Sequence, residues 1–427
     1  MTASQVNSPH PALDHSSRQI RLLSVCEDAE GKIACNLSVF DLSSCPQFIA
    51  LSYVWGSPHI QHEVTLNGHA FSIRHNLYLA LKSISNYIKT AVGEQIITKN
   101  SLNATSSEFG HDFEQSPKSW KYFWIDAICI NQTEVSERNH QVRMMSDIYK
   151  SAVFVLVWFG PSCEKALHLV ATADPAKLRT VYKPYTDRFQ KSEFSEPLIP
   201  LLESDYWSRM WIVQEFVLAQ ELVFASGSVL VPWDRAKHLF PELYAHGGSG
   251  KIGSAVTLAN ERRQHGFRQK QGIGPDVHEL LRRFRFMNCS DPRDRVFALS
   301  GLLGERPNPS GNILVVDYSL TPAQLSVRIL RLASKSLKRG TLEELHRLLN
   351  AALELNQDNV NTTAKKEIVL IFKETPDEDD IYDGWYDSSI TQSALKEALA
   401  TQMKSGAESR FSISQALRGR YSLSSNQ

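Results

Sequence analysis

Apolar residues between positions 122 and 160 are grouped as two buried strands joined by a helix. Residues 122–128 and 153–159 are short runs rich in aromatic and β-branched side chains, which is typical of fully buried strands. Between them, residues 133–152 repeat apolar side chains at the spacing of one helical face, and Thr133 is placed to cap this helix. A unit of this kind favours a parallel sheet that binds ligands at the carboxyl ends of its strands. The pattern therefore predicts an α/β fold.

The same patterning predicts further elements on both sides of this unit. Before it, Asn67-Gly68 is a strong signal for a tight turn between two strands, and Asn76 is placed to cap a helix that runs to about residue 90. After it the chain is mainly helical, and Asp291 is placed to cap one of the helices. The other predicted strands are 20–25 and 33–40 (an edge hairpin), 48–52, 63–66, 70–73, 221–226 and 313–316; the other predicted helices are 204–219, 320–337, 342–355 and 392–403; residues 98–119 are predicted to be a surface insertion.

Composition and charge narrow the class of protein without identifying it. Lys and Arg together number 46, as do Asp and Glu, so the formal net charge of the 427-residue chain is zero. Bulk charge therefore provides no surface for nucleic acid or for a membrane. The six cysteines are scattered without a C-x-x-C pair, which argues against a structural metal site, and no apolar run approaches the length of a membrane span. We expect a cytoplasmic protein with no nucleic-acid, membrane or metal partner.

Glu215 is the residue whose position most needs an explanation. If the stretch around it forms one helix, Trp207, Trp211 and Glu215 share a stripe at intervals of four residues. A carboxylate on an aromatic face fits a catalytic group, because burial and neighbouring charges can tune its pKa. It also fits a partly buried glutamate that pairs with an arginine of a neighbouring helix, such as Arg138 or Arg143. The sequence leaves both interpretations open.

Four stretches of the chain together resemble the heterokaryon incompatibility (HET) domain of filamentous fungi. Their order and spacing are specific, and the resemblance covers about residues 45–220. Two later segments, 291–299 and 317–319, also resemble segments that commonly follow this domain. The resemblance implies a role in self/non-self recognition and in programmed cell death when unlike hyphae fuse. The four stretches are ALSYVWG at 50–56, WIDAICINQ at 124–132, its continuation at 137–160, and WSRMWIVQE at 207–215.

The same landmarks are similar to those of Toll/interleukin receptor (TIR) domains. In TIR domains one strand ends in a turn with serine, an aromatic residue and glycine, a second ends in an Ile-Asp pair, and a third precedes a helix with Trp-x-x-x-Glu. Here these features fall at 52–56, 125–126 and 208–215. The resemblance implies a flavodoxin-like parallel sheet, and some TIR domains hydrolyse NAD with that glutamate. Ile212 departs from the pattern, because plant members usually have Cys there, so the fold transfers better than the activity.

The resemblance to TIR domains implies candidate site residues. Glu215 is the candidate catalytic residue, because cleavage of the nicotinamide–ribose bond passes through a ribosyl cation that a well-placed carboxylate stabilises. NAD would be the substrate, and no cofactor is implied. Each assignment has a structural alternative: Asp126 can shape a turn, Arg209 can be solvated, and the aromatic residues can simply pack in the core. The candidate substrate-binding residues are Ser52, Tyr53, Trp55, Gly56, Asp126, Arg209 and Trp211.

Four parts of the chain are expected. They are an N-terminal extension with a hairpin (1–44), a HET domain of TIR-like, flavodoxin-like fold (45–230), a helical extension packed on it (231–345), and an acidic linker with a short helix and a flexible tail (346–427). The expected function is that of an incompatibility effector that promotes cell death by hydrolysing NAD once it self-associates, with another incompatibility protein as partner. Two alternatives stay open, a non-enzymatic signalling or scaffold module that acts through oligomerisation and a regulatory HET-like protein.

Overall fold

A central β-sheet with helices around it forms the fold in the computed structural model, which describes residues 8–28, 30–90, 120–183, 188–189, 193–240, 250–271, 274–303, 314–335, 337–356 and 359–375. The strands are β1 (Gln19–Glu27), β2 (Ile33–Asp41), β3 (Ile49–Tyr53), β4 (Gln61–Leu66), β5 (His69–Arg74), β6 (Phe123–Trp124), β7 (Phe154–Trp158), β8 (Tyr182–Lys183), β9 (Arg188–Phe189), β10 (Leu222–Ser226) and β11 (Val229–Pro232).

The helices of the described residues vary widely in length. The α-helices are α1 (His75–Thr90), α2 (Asp126–Cys129), α3 (Val135–Ser151), α4 (Glu164–Thr172), α5 (Pro175–Arg179), α6 (Ile199–Leu202), α7 (Ile212–Val217), α8 (Trp233–Ala236), α9 (Gly250–Gln271), α10 (Val277–Phe284), α11 (Asp294–Phe297), α12 (Pro322–Ala333), α13 (Arg339–Ala352) and α14 (Thr362–Glu374). Short 3₁₀ helices lie at Pro161–Cys163, Glu196–Leu198, Asp205–Ser208, Lys237–Leu239 and Ser300–Leu302.

Four neighbouring parallel strands form the middle of the nine-stranded sheet, in the spatial order β6, β3, β7, β10. Along the chain these strands are the second, first, third and fourth of the four, which matches the first four positions of the flavodoxin-like order 2-1-3-4-5. Antiparallel strands widen the sheet on both sides, because β11 pairs with β10 and β1 pairs with β6. The predicted α/β fold with flanking helices and a helical C-terminal region is confirmed, and the complete sheet is mixed.

Two hairpins complete the sheet beyond β6. β1 and β2 pair antiparallel along their whole length, and β4 and β5 form the second hairpin. Asn67 and Gly68 turn the second hairpin at positive φ angles of 49° and 80°, as predicted. The prediction that the first hairpin lies at the edge is wrong, because β2 also pairs with β4 and leaves β5 as the edge strand.

Two predicted boundaries in the strand–helix–strand unit are wrong because nearby polar side chains bind elsewhere. The strand predicted over 122–128 has only two residues, since Asp126 begins the short helix α2 and accepts a hydrogen bond from Ala127 N at 2.7 Å. Thr133 does not cap α3, because its hydroxyl donates to Asn131 Oδ1 at 2.8 Å. The chain between β6 and α3 is therefore a structured connection rather than the end of a strand.

Asn76 lies inside α1 and links two strands instead of capping the helix. Its Nδ2 donates to Val54 O at 2.5 Å, just after β3, and its Oδ1 accepts from Trp158 Nε1 at 3.1 Å, at the end of β7. The predicted capping role is therefore wrong. A side chain with one donor and one acceptor group can join a backbone carbonyl to an indole in this way, and it fixes two carboxyl ends of the parallel strands to each other.

The helix predicted over residues 204–219 is broken in its middle. A turn of 3₁₀ helix is followed by Arg209 in an extended conformation (φ −78°, ψ 132°), and only then by α7. Asn288 stabilises the break, because its backbone accepts from Met210 N at 2.8 Å and donates to Ser208 O at 2.5 Å. The prediction of one helix is therefore wrong, since pairing with a distant segment outweighs local helical propensity.

Helices dominate the chain after β11. The helices predicted over 320–337 and 342–355 correspond to α12 and α13, and Thr321 caps α12 in a capping box with Gln324. Helix α14 has no counterpart among the predicted helices. No helix within the described ranges is long and apolar enough to cross a membrane.

Other predictions for the C-terminal region are wrong or cannot be compared. The helix predicted from Asp291 begins at Asp294, and Asp291 instead accepts a hydrogen bond from Arg293 N at 3.0 Å. Residues 314–316, the described part of a predicted strand, form no strand. The predicted insertion at 98–119 and the predicted helix at 392–403 lie outside the described residues.

Gly301 packs against α3 and leaves no room for a side chain. A Cβ atom at this position would overlap Ser146 Cβ and would lie 2.9 Å from Leu218 Cδ1. We expect Gly301→Ala to lower the free energy of unfolding by about 1–3 kcal/mol, because packed side chains must move. Gly266→Ala is the matched control, since it lies within α9 and meets open space; it should raise stability by up to about 1 kcal/mol. Urea denaturation measures both, and equal effects would contradict this packing.

Candidate functional site

The carboxyl ends of β3 and β6 and the connection from β7 to β10 meet at one place. Ser52 and Tyr53 are the last residues of β3, and Asp126 follows shortly after β6. Arg209 and Glu215 belong to the connection between β7 and β10. Because the strands are parallel, their carboxyl ends share the edge of the sheet at which flavodoxin-like folds bind ligands. We call these five residues the strand-end cluster.

Glu215 is the buried centre of the strand-end cluster, with only 2% of its surface exposed. Ser52 Oγ donates to Glu215 Oε2 at 2.5 Å and lies 2.8 Å from the hydroxyl of Tyr206. Burial raises the pKa of Glu215 to about 7, against the opposing effect of the Arg209 charge. The charge of Asp126 also raises this pKa, and the hydrogen bond from Ser52 lowers it. Near neutral pH the carboxyl group is therefore divided between its two protonation states.

Asp126 and Arg209 form the more open side of the strand-end cluster. Both are partly exposed, and Trp55 Nε1 donates to Asp126 Oδ2 at 2.9 Å. The guanidinium of Arg209 donates to the backbone carbonyl of Tyr53 at the end of β3. Burial raises the pKa of the Asp126 carboxyl although the charge of Arg209 opposes this shift. The cluster thus combines two carboxyl groups with one guanidinium.

Arg209, rather than Arg138 or Arg143, supplies the positive charge that acts on Glu215. The guanidinium of Arg138 lies 5.6 Å from the centre of the Tyr318 ring, and Arg143 Nε donates to a backbone carbonyl in the same region at 2.8 Å. The alternative in which Arg138 or Arg143 pairs with the glutamate is therefore wrong. Both belong to the contact between α3 and the C-terminal region.

The remaining candidate residues lie around the strand-end cluster. The ring of Trp55 lies 5.2 Å from the guanidinium of Arg74, whose Nη1 also donates to Gly56 O at 2.9 Å. Gly56 is exposed and has a positive φ of 75°. Trp211 hydrogen-bonds to Asp294 and so belongs to the contact with the C-terminal region. Trp55 is therefore the candidate aromatic residue that joins the cluster to the surface.

Two tyrosines belong to the site although they were not among the candidates. Tyr149 OH donates to Leu51 O at 3.2 Å, and Tyr206 contacts Ser52 as described above. Burial, and then the charge of the nearby Glu215, raises the pKa of both phenols. Tyr206 directly precedes the stretch that resembles the HET domain at 207–215, which was a usable signal. Tyr149 lies on the apolar face of a predicted helix, where nothing distinguishes it from a core residue.

The fold and the strand-end cluster define an α/β domain of flavodoxin-like strand order with an acidic and cationic site at its carboxyl edge. The family model described as "Heterokaryon incompatibility protein (HET)" matches residues 48–215, a range that begins just before β3 and ends at Glu215. This match confirms, over these residues, the resemblance to HET domains that was seen in the sequence.

Comparisons with individual proteins give two fungal relatives. The chain is 27% identical over 253 residues to "Heterokaryon incompatibility protein 6, OR allele" of Neurospora crassa, and the match covers 52% of this chain and 35% of that protein. The chain thus spans about a third of the length of this relative. It is also 61% identical over 54 residues to "Autophagy-related protein 29" of Gibberella zeae, which is 12% of this chain and 14% of that protein. No solved structure matches the chain.

Glu215 should make the stability of the protein depend on pH. Its folded-state pKa of about 7 lies above the ordinary value of 4.5, so between these values the folded state binds more protons than the unfolded state. The contribution that the protonated Glu215 makes to the free energy of unfolding is fully present below its ordinary pKa of 4.5. It is lost as the pH rises through 7. We expect the free energy of unfolding to fall by roughly 1–3 kcal/mol over this range, and Glu215→Gln to reduce that decline. Urea denaturation at a series of pH values measures it.

Glu203→Gln is the control for this experiment. Glu203 is exposed and lies shortly before the same segment. Its substitution should leave the pH dependence unchanged. A decline that is the same in Glu215→Gln and in the unchanged protein would show that other groups cause it.

Proposed function

We propose that the chain acts in heterokaryon incompatibility, as a cytoplasmic effector of self/non-self recognition that promotes programmed cell death in fungi. The HET domain and the similarity to the Neurospora protein support this role. One observation carries the catalytic part of the proposal: Asp126, which follows β6, acts on Arg209 and Glu215, which belong to the connection between β7 and β10, at the carboxyl edge of the parallel strands. From this we infer that the domain hydrolyses NAD.

Hydrolysis of the nicotinamide–ribose bond fits these groups. When the bond breaks, nicotinamide leaves with the bonding electron pair and the ribose carbon becomes positively charged. The carboxylate of Glu215 stabilises that charge and accepts a proton from the water molecule that attacks the carbon, and a pKa of about 7 suits both tasks. Arg209 is the group for the pyrophosphate, and Trp55 offers ring surface for stacking on a base.

Glu215 is shielded from solvent, so catalysis requires a rearrangement that admits the substrate. We propose that self-association, with another incompatibility protein as partner, brings this rearrangement about. The same burial favours a second candidate function, a module that assembles and signals without chemistry. In that case Glu215 and Arg209 only hold the connection between β7 and β10 against the end of β3.

NAD consumption by the purified protein distinguishes the two functions. We expect concentrated, assembled protein to release nicotinamide from NAD, and Glu215→Gln to slow this release by about 100-fold or more, because a preorganised charge at the reacting carbon is lost. Glu203→Gln serves as the matched control and should retain the activity. Chromatographic measurement of nicotinamide follows the reaction.

Two outcomes would decide against hydrolysis. The first is equal release by the unchanged protein and Glu215→Gln, and the second is no release from protein whose assembly has been verified. Expression of both forms in fungal cells then tests the second candidate. Cell death that persists in a folded, self-associating Glu215→Gln variant would establish signalling without chemistry.

A further inference from the structure

Helix α7, which carries Glu215, ends against Arg262, a partly buried residue of α9. The helix has only six residues, so the carbonyl groups at its carboxyl end lack partners within it. Arg262 donates hydrogen bonds to carbonyl groups of this end and of the turn that follows. The acceptors are Phe216 O (3.0 Å), Val217 O (3.3 Å), Ala219 O (2.6 Å) and Gln220 O (2.9 Å). One side chain therefore satisfies the carboxyl end of the helix.

An arginine suits this place better than a lysine. The guanidinium group is planar and has five N–H donors, so it reaches several carbonyl oxygens at once, whereas the ammonium group of lysine is a compact point charge. Its positive charge also faces the negative end of the helix dipole. Burial lowers the pKa of Arg262 to about 10, which leaves the group charged at neutral pH, and the ring of Trp233 lies 6.0 Å from it.

Helix α9, which carries Arg262, is also bound to α10 by a buried ion pair. Glu261, the preceding residue, is 1% exposed; it pairs with Arg268 of the same helix at 2.9 Å and with Arg283 of α10, and the second pair joins the two helices. Breaking a buried pair of this kind leaves an uncompensated charge, which is strongly destabilising. Helix α9 therefore has an anchor that is independent of α7, and Arg262 can act as a fixed point for α7.

The position of Glu215 depends on this fixed point. Within α7 its own backbone bond to Trp211 O is long, at 3.5 Å, whereas the carbonyl of the next residue, Phe216, is bound by Arg262 at 3.0 Å. We propose that Arg262 is a positioning residue that keeps the carboxyl of Glu215 in the strand-end cluster. The part of this inference that concerns the reaction rests on the proposed function. Arg262 lies outside residues 48–215, the range matched by the HET model. On this proposal, therefore, the site also needs a residue from the helical region after β11.

Arg263 provides a matched control on the same helix. Like its neighbour it is partly buried and donates to backbone carbonyls, but these belong to Lys237 (3.1 Å) and Phe240 (2.7 Å), after α8. A lysine at either position keeps the charge and loses the planar donor group. Only the change at Arg262 should therefore reach Glu215.

The test compares Arg262→Lys with Arg263→Lys in the full chain. The pKa of Glu215 is followed by ¹³C NMR of the glutamate side-chain carboxyls, with Glu215→Gln giving the assignment. We expect Arg262→Lys to move this pKa from about 7 toward 4.5, because water reaches a carboxyl that is no longer held in place. In the NAD assay kcat should fall about tenfold with KM within about twofold, because the reacting group is misplaced while the binding groups remain. Arg263→Lys should change neither.

An unchanged pKa of Glu215 in folded Arg262→Lys, or an equal shift in Arg263→Lys, would overturn the proposal. If Arg262→Lys does not fold, Arg262→Gln replaces it with the same expectations, since its shorter amide side chain has two N–H donors where the guanidinium group has five. If neither the unchanged protein nor any variant hydrolyses NAD, the proposed function fails. The NMR comparison still decides whether Arg262 positions Glu215.

Discussion

A carboxyl group buried among apolar side chains must be neutral or must be matched by donors and positive charge, and Glu215 imposes this constraint on the whole site. Ser52 donates to it from the end of β3, the strand that lies between two parallel neighbours and is therefore firmly fixed. Arg209 brings positive charge close from an extended part of the backbone between the 3₁₀ turn and α7. The backbone pairing with Asn288 stabilises this break in the helix.

A second buried charge pair fixes the connection that carries Asp126. The guanidinium of Arg21 binds both carboxylate oxygens of Glu137, at 2.6 and 2.8 Å. The same two side chains also bind the loop after α2, because Arg21 donates to Cys129 O at 3.0 Å and Glu137 accepts from Asn131 N at 2.6 Å. Burial alone would raise the pKa of Glu137, but these hydrogen bonds outweigh it and the pKa is lowered. Through Arg21, the β1–β2 hairpin thus helps to hold the segment that carries Asp126, although the sequence of the hairpin resembles no site motif.

The sequence predicted the features that neighbouring residues determine. Strands β3 and β7 are compact apolar runs, and motifs at the ends of parallel strands must meet, so the proximity of Trp55 and Asp126 could be anticipated. Glu215 lies on a helix between two strands, and only the resemblance to TIR domains implied that it belongs to the same site. Features that depend on distant residues could not be anticipated. The break at Arg209 is stabilised by Asn288, and the carboxyl end of α7 is satisfied by Arg262; neither partner carries a local signal for these contacts. Helical periodicity therefore predicted one continuous helix where tertiary hydrogen bonds form two pieces.

The strand-end cluster is held unequally on its two sides, and this bears on how a ligand could reach it. On one side Trp55 is tied to Asp126 by one hydrogen bond and contacts Arg74 through its ring, and all three are partly exposed. On the other side α7 is bound by Ser52 and by the hydrogen bonds that Arg262 donates to its carboxyl end. A single hydrogen bond between neutral groups contributes about 1 kcal/mol, whereas hydrogen bonds from a charged group contribute more each, and those of Arg262 are broken together. Opening at Trp55 therefore costs less free energy than displacing α7. Because Trp55 is hydrogen-bonded to Asp126, opening there uncovers Asp126 and leaves Glu215 buried.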